Sequence, residues 1–514
     1  MSLMNDLDLD RFSLRRAVSA MVAAGECERI DAPVELVDVA AHLDGNAKAV
    51  WFRAVGPERA ELVGNVMGVR SRLALALGTT VRELPSVYRE RVGKPIAPIE
   101  IPSTMAPVQQ VVRTGADADL TKLPVHLQHG RDGGPYISAS LDFAVDRETG
   151  WTNVGCRRIM VRGRHVAGID LNAPSDLKAM YQRYVARGER MPLAYAVGCH
   201  PADFLASLAV TPPMDELAVL GGIRGEAVPV VKCITNDIRV PADAEVIIEG
   251  YLDERGLVEP EGPYGEYIGY YGVMKRNPVF HVTAITHRRD YLFQTATIGG
   301  RFLSYTDTAQ LAAVKTEAAL WSALQSAVRE PVAVCATASC GGMYNARVSL
   351  RQRVPGESRN AIAAVFGSIA DVKHVFVVDE DIDVYADEQI DWAFATRFQG
   401  DRDLVVDSGF RAVPLDPSLA GSRVGAKVGF DCTKPFGKGQ SFEFEVPEAP
   451  QFQERPRRTV IEALTAGPCT YLELMENVGT RDGREIVIAL DALYEAGRLD
   501  RLETGQYILK GATK

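Results

Sequence analysis

A chain of 514 residues is long enough for about three to four domains, and 46 % hydrophobic residues can fill several buried cores. Its charges are plentiful but mixed, and the formal net charge is −10, which speaks against nucleic acid and against an anionic membrane surface, since both need clustered cations. No apolar stretch approaches the ~20 residues that span a bilayer, and the opening MSLMNDLDLDRFSLRRAV carries acids and no apolar h-region, so neither a membrane span nor a signal peptide is expected.

In chain order, residues 14–24 have helical spacing, 50–55 and 62–66 read as strands, and the Pro-rich 95–107 reads as an extended linker. From about Leu120 to Ile298 the pattern is strand-rich, with β-like runs at 159–163, 230–234, 245–249 and 279–284. One helix interrupts them at 177–185, opened by Pro174-Ser175-Asp176, where proline and an acid suit a helix N-terminus. This predicts a barrel-like β domain. A long helix is expected over 306–328, and runs at 332–336, 359–369, 374–378 and 389–396 then follow a βαβ-like rhythm that implies an α/β layer.

After a linker at 451–458, three helices (459–465, 471–477 and 484–496) and a hairpin (501–509) make a winged-helix-like pattern. Between Gln451 and Lys514 nine Lys/Arg stand against ten Asp/Glu, net −1, and the would-be recognition helix carries Glu485, Asp491 and Glu495. Packing or oligomerisation is therefore expected of this module rather than DNA reading. The eight cysteines (Cys27, Cys156, Cys199, Cys233, Cys335, Cys340, Cys432 and Cys469) form no C-x-x-C pair and read as reduced thiols of a soluble cytoplasmic protein.

Three segments carry chemistry. In Pro260-Glu261-Gly262-Pro263-Tyr264-Gly265-Glu266 two carboxylates bracket a turn among tyrosines. An acid in such partly apolar surroundings can donate a proton near neutral pH, although on spacing alone two solvated loop acids are the commoner reading. In Thr152-Asn153-Val154-Gly155-Cys156-Arg157-Arg158 two arginines run into an apolar strand, where a cation needs an anionic partner. Arg158 then clamps a substrate carboxylate, pairs with Glu261, or makes a structural salt bridge. Lys427, among glycines in Gly425-Ala426-Lys427-Val428-Gly429, suits a phosphate or is a solvated turn lysine. His200 reads as a turn residue, and Asp379, Glu380, Asp381 and Asp383 as acids ending a strand in solvent. Cys335 and Cys340 lack zinc-site partners, and Gly221-Gly222 is no dinucleotide fingerprint.

Together these segments resemble the UbiD family of decarboxylases, which use prenylated FMN. The likeness spans roughly residues 10–445. It includes RGEAVPVVKCITNDIRVPADAEVIIEG from Arg224, EGPYGEYIGYYG from Glu261, and KHVFVVDEDIDVYADEQIDWAFATRFQGDRDLVV from Lys373. It implies an α/β (α+β) chain. Its expected parts are an N-terminal α/β domain over 1–119, a split β-barrel holding the prenylated FMN over 120–305, a C-terminal α/β domain joined by a long linker helix over 306–450, and the tail over 451–514.

Residue by residue, the T-N-x-x-x-x-R pattern of ferulic acid decarboxylase-like members matches Thr152, Asn153 and Arg158, implying a metal ligand in Asn153 and the catalytic arginine in Arg158. The E-G-P-[FY]-G-E pattern matches Glu261 and Glu266. Glu216 fits the acidic metal ligand, and Asp176, behind Ser175, stands where the family often has histidine. Asp oxygens suit Mn²⁺ or Mg²⁺. K⁺ is an optional further cation. The family's flavin-contacting Ser-Ser-Met becomes Ala206-Ser207-Leu208, and Lys427 matches the lysine that meets the flavin phosphate. Val154, Cys156, Arg157 and Ser175 complete the implied cofactor-binding set.

The implied reaction is reversible, non-oxidative decarboxylation, with Arg158 at the carboxylate, Glu261 orienting Arg158, and Glu266 protonating the carbon that lost carbon dioxide. The substrate is an aromatic, heteroaromatic or α,β-unsaturated acid. Fused or heteroaromatic acids (phenazine-, pyrrole-, indole- or furan-carboxylates) are favoured, as in aromatic acid degradation. The implied partners are a flavin prenyltransferase and further copies of the chain in a dimer or hexamer. Alternatives are a cinnamate-type decarboxylase, a DNA-binding flavoprotein regulator, or a redox enzyme using ordinary FMN. Hydride transfer has no need of the Arg158, Glu261 and Glu266 set.

Overall fold

A nine-stranded antiparallel sheet forms the centre of the chain. The computed structural model describes residues 7–437 and 442–511 in two compact units, Met1–Thr433 and Lys434–Lys514. The architecture of the first is mixed α/β, as expected. Its central sheet runs in the order Tyr136–Ile137, Ile159–Val161, Val166–Ile169, Val279–His287, Val246–Leu252, Met191–Val197, Ser140–Val145, Thr152–Cys156, with Val111–Thr114 also pairing Val279–His287.

The chain steps twice from one edge of this order to the other. Tyr136–Ile137 passes through Ser138-Ala139 into Ser140–Val145, and Thr152–Cys156 passes through Arg157-Arg158 into Ile159–Val161. A sheet whose opposite edges are joined by such short steps must curl into a half-open barrel. At the seam the Arg157 amide donates to the Ser140 carbonyl, 3.2 Å, and the Ser140 hydroxyl donates to the Arg157 carbonyl.

Period-two alternation sorts the side chains. Leu193, Tyr195 and Val197 enter one apolar cluster, and Ala194 and Ala196 the other. Val246 and Ile248 divide from Ile247 in the same way. Both faces of these strands are covered, so they read as continuous hydrophobic runs.

An N-terminal sheet orders Cys27–Ile30, Ala49–Val55, Ala60–Gly64 and Leu292–Thr295. Two elements cross the boundaries expected from sequence. Leu292–Thr295, placed in the barrel, completes the N-terminal sheet in parallel with Ala60–Gly64, and Val111–Thr114, placed before the barrel, pairs within it. The expected linker at 95–107 contains the edge strand Ile99–Glu100, paired with Pro229–Lys232.

The long helix is Asp307–Gln325, capped by the Thr306 side chain, which accepts from the Ala309 amide. Its buried Asp307 accepts from the amides of Met67, 2.5 Å, and Thr297, 2.7 Å, tying the helix to the N-terminal region and to the segment after the barrel. A five-stranded sheet follows in the order Pro331–Ala336, Asn345–Leu350, His374–Asp379, Val424–Cys432, Leu404–Arg411, with helices Glu357–Gly367 and Asp387–Arg397.

The second unit, which starts at Lys434 rather than the expected 451, holds helices Val460–Ala466, Tyr471–Val478 and Gly483–Glu495 and the hairpin strands Leu499–Arg501 and Tyr507–Leu509. Capping boxes at Thr459/Glu462 and Thr470/Glu473 open its first two helices, and Leu464, Leu474, Ile486, Leu490 and Leu493 fill its core. All eight cysteines are free thiols. No helix among the described residues is long and apolar enough to cross a membrane.

Candidate active site

The barrel seam puts the two arginines on opposite faces. Arg157 turns to Asp142, 2.6 Å. Arg158 turns to three carboxylates. Its Nε and Nη2 donate to the two Glu261 oxygens at 3.1 and 3.3 Å, its Nη1 donates to Glu266 Oε2 at 3.2 Å, and its Nη2 lies 3.1 Å from Asp170 Oδ2. The Tyr264 ring lies under the guanidinium, 4.5 Å away. Burial opposes the charge of Arg158, but Glu266, Glu261 and Asp170 outweigh it and hold the side chain a cation.

Glu261 ends the strand Glu259–Glu261, and Glu266 follows the short strand Tyr264–Gly265. Between them Gly262 has φ +98°, a left-handed conformation that favours glycine and folds the two acids back onto one arginine. Glu261 also accepts from Asn277 Nδ2, 3.3 Å. Both acids are buried, 1 % and 3 % exposed. Burial pushes the Glu266 carboxyl up, while Arg158 and then Lys275 pull it down. Its Oε2 is held by Arg158, and its Oε1 is buried with no hydrogen-bond partner. Oε1 is therefore the carboxyl oxygen that no hydrogen bond holds.

Gly272 lies against this oxygen. A Cβ there would stand 2.6 Å from Glu266 Oε1. The methyl would meet the Glu266 side chain from Cγ outward, 2.9 Å at Cγ, with no backbone atom as near, so Gly272→Ala should keep the fold while displacing that side chain. The displaced carboxyl should lower turnover about tenfold or more, since a shift of about 1 Å can cost about 10² in rate. Circular dichroism beside steady-state turnover checks the split.

A cavity of about 210 Å³ gathers the expected metal ligands Asn153, Asp176 and Glu216. Asn153 Nδ2 donates to Glu216 Oε2, 3.0 Å, and the Val154 amide donates to the same oxygen. Asp176 opens the helix Asp176–Ala186, whose N-cap is Ser175. Burial, with Asp176 and Asp142 nearby, lifts the Glu216 carboxyl to about 7. Asn153 Oδ1 is buried with no partner. Two carboxylates and an orphaned amide oxygen converging on one cavity suit a hard divalent cation. Among the described residues no three His, Cys, Asp or Glu side chains form a metal cage, so the amide is integral to this set.

The other expected cofactor residues are more scattered. Ala206 and Ser207 end the helix Pro201–Ser207 and Leu208 caps it, with Ser207 Oγ donating to the Phe204 carbonyl, 2.9 Å. Cys156 is pushed up to about 12 by burial and is no nucleophile. Lys427 lies on Val424–Cys432 and lines a separate cavity of about 360 Å³ with Lys373, Arg411 and Asp371. Its Nζ donates to the Phe366 carbonyl, 2.9 Å. Asp371 acts electrostatically on Lys427 and on Tyr267, the neighbour of Glu266. The fold therefore brings together the Arg158 cluster and, separately, the Asn153 cavity, and leaves Lys427 in the α/β layer.

His200, read as a turn residue, is a buried helix N-cap that accepts from the Ala202 amide, and burial lowers it to about 4. The acids at the end of His374–Asp379 are ion-paired rather than merely solvated: Arg397 meets Asp379 and Asp381, and Arg82 meets Asp383.

Three family models match the chain in order. These are the 3-octaprenyl-4-hydroxybenzoate carboxy-lyase N-terminal domain over 18–92, Rift-related domain over 100–302 and C-terminal domain over 309–432. The chain belongs to the UbiD family. It is a carboxy-lyase of that family, and the second unit lies beyond the end of the UbiD models. Similar proteins include the anhydromevalonate phosphate decarboxylases of Methanosarcina mazei, 29 % identical over 82 % of this chain and 95 % of the relative, and of Methanothermobacter thermautotrophicus, 31 % identical over 74 % and 87 %. Among solved structures, the UbiD-class enzyme HmfF from Pelotomaculum thermopropionicum in complex with FMN is 33 % identical with a TM-score of 0.81, covering 85 % of this chain and 97 % of that one. The 3,4-dihydroxybenzoic acid decarboxylase of Enterobacter cloacae is 27 % identical with a TM-score of 0.79, covering 87 % and 98 %.

Sequence reasoning missed Asp170 and Lys275. Ile169 pairs with Ile159, and one more antiparallel step sets Asp170 across from Arg158. Glu261 pairs with Lys275. The signal was register, which needs the strand partners assigned first.

Proposed function

We propose that this UbiD-family protein decarboxylates an aromatic, heteroaromatic or α,β-unsaturated carboxylic acid, reversibly and without net oxidation, using prenylated FMN with Mn²⁺ or Mg²⁺. The observation that carries this reading is Arg158 held between Glu261 and Glu266, with Glu266 Oε1 buried and free. When bound, the modified flavin supplies an electron sink for the carbon–carbon bond that breaks. Asn153, Asp176 and Glu216 would hold the metal at the cofactor's phosphate, and Lys427 would add a cation to it.

The chain's own residues do the rest. The Arg158 guanidinium orients the substrate carboxylate, exchanging the 3.2 Å contact with Glu266 for the substrate. Glu261 grips Nε and Nη2 and keeps the guanidinium plane fixed. Glu266 carries a proton on Oε1 and transfers it to the carbon left by carbon dioxide. Near-complete burial of both acids excludes water from that transfer.

If Asn153 is a ligand, Asn153→Ala should weaken Mn²⁺ binding at least about tenfold by calorimetry, since deletion leaves the two carboxylates to share the ion alone. Fused and heteroaromatic acids lead the substrate panel. The kinship with two anhydromevalonate phosphate decarboxylases adds that compound as a second class. The test is carbon dioxide release from the panel by protein loaded with cofactor from a flavin prenyltransferase, with ordinary FMN as control and with or without K⁺. Release from at least one acid, and only with the prenylated cofactor, is expected. Equal turnover with ordinary FMN would overturn the reading.

A further inference from the structure

Glu266 has a second charged neighbourhood besides Arg158. Lys275, on the strand Lys275–Asn277, places Nζ 3.6 Å from Glu266 Oε1 and 2.9 Å from Asp170 Oδ2. Asp170, directly after Val166–Ile169, is shared in turn with Arg158 Nη2 at 3.1 Å. The ammonium is therefore hydrogen-bonded to Asp170 and only within ion-pair range of Glu266. Its nearest Glu266 oxygen is the one with no hydrogen-bond partner. The groups acting on Glu266 are Arg158 at the seam, Lys275, Asp170, Glu261 on the opposing strand, and Tyr264 and Tyr267 on its own segment.

We propose that Lys275 and Asp170 are a positioning pair for proton delivery: Lys275 is the counter-charge that receives the Glu266 carboxylate once its proton has left, and Asp170 holds Lys275 back while Glu266 is still protonated. Neither residue touches the reacting carbon. The inference rests on reading Glu266 as the proton donor. After the O–H bond of Glu266 breaks and the proton moves to carbon, Oε1 bears the charge, and the 3.6 Å gap to Nζ can close by a small movement of the lysine. When solvent reprotonates Glu266, Lys275 returns to Asp170. The side chains of Lys275 and Asp170 are 21 % and 19 % exposed against 4 % for Glu266, so this pair is the solvent-facing side of the acid.

The two members push Glu266 in opposite directions. Lys275 favours its ionised form, and Asp170 disfavours it both by its own charge and by withholding the ammonium. Lys275→Met should move the alkaline limb of the pH–turnover profile upward by about one pH unit or more, and Asp170→Asn should move it downward. Lys275→Arg should stay near wild type. A purely structural role would change Tm and leave these midpoints together. The same order should appear without turnover, in the infrared carbonyl band of the Glu266 carboxylic acid titrated in cofactor-free protein and assigned by its loss in Glu266→Gln. If Asp170→Asn folds poorly, the two Lys275 variants and this band still decide. Midpoints and bands that coincide in wild type and Lys275→Met, or that shift the same way in Lys275→Met and Asp170→Asn, would overturn the pairing. Full turnover in Glu266→Gln would instead remove the proton-donor reading beneath it.

Discussion

Replacing Arg158 with alanine should abolish turnover and destabilise the fold by about 3–5 kcal/mol at neutral pH, the cost of breaking a buried ion pair from one side. The cost arises from what is left behind. Glu266 loses the Nη1 donor at Oε2 while Oε1 already has no partner. Glu261 keeps the Asn277 amide, and Asp170 keeps Lys275. With the cation gone, Glu266, already raised by burial, should protonate more readily, so the deficit should shrink as pH falls toward 5. Urea unfolding at the two pH values measures both effects. Arg158→Lys should recover part of the stability but little activity, because one ammonium cannot fork to both Glu261 oxygens. An alanine variant as stable as wild type at pH 7 would show that the three carboxylates do not depend on this cation.

Replacing Glu266 with glutamine should cut turnover by about 10²–10⁴, the range of a lost general acid, and yet leave the fold more stable at neutral pH. The sign follows from the raised carboxyl, for which burial outweighs Arg158 and Lys275. A group whose folded pKa lies above its unfolded value contributes stability below the unfolded value and loses it as pH rises through the folded one. At neutral pH folding must therefore either give Glu266 a proton or bury its charge, a cost that glutamine does not carry. Melting temperatures of wild type and variant should meet near pH 4 and separate in the variant's favour above it. The same titration should make wild-type turnover fall on the alkaline side.

The legible and the illegible parts of the site differ in kind. Arg158, Glu261 and Glu266 were marked by chemistry that a strand and a turn do not need: a cation entering an apolar run and two acids around a Gly-Pro-Tyr-Gly turn. Asn153, Asp176 and Glu216 carried no such local signal. Only the resemblance grouped them, and the fold then set them around one cavity. Asp170 and Lys275 were invisible for a geometric reason, since each becomes relevant only through its cross-strand partner. The placing of elements was readable where periodicity was strong, as in the helix Asp307–Gln325. It failed where distant strands join a sheet, as Leu292–Thr295 does beside Ala60–Gly64.

The central claim is that carbon dioxide leaves without net oxidation and that a solvent-exchangeable proton takes its place on carbon. Its most direct test uses the best acid of the panel, labelled with ¹³C at the carboxyl, on protein loaded with prenylated flavin in D₂O. The account predicts labelled carbon dioxide and, in equal amount, a product bearing one deuterium at the former carboxyl position with its oxidation state otherwise unchanged. An oxidised or reduced product that retains the labelled carboxylate would contradict it.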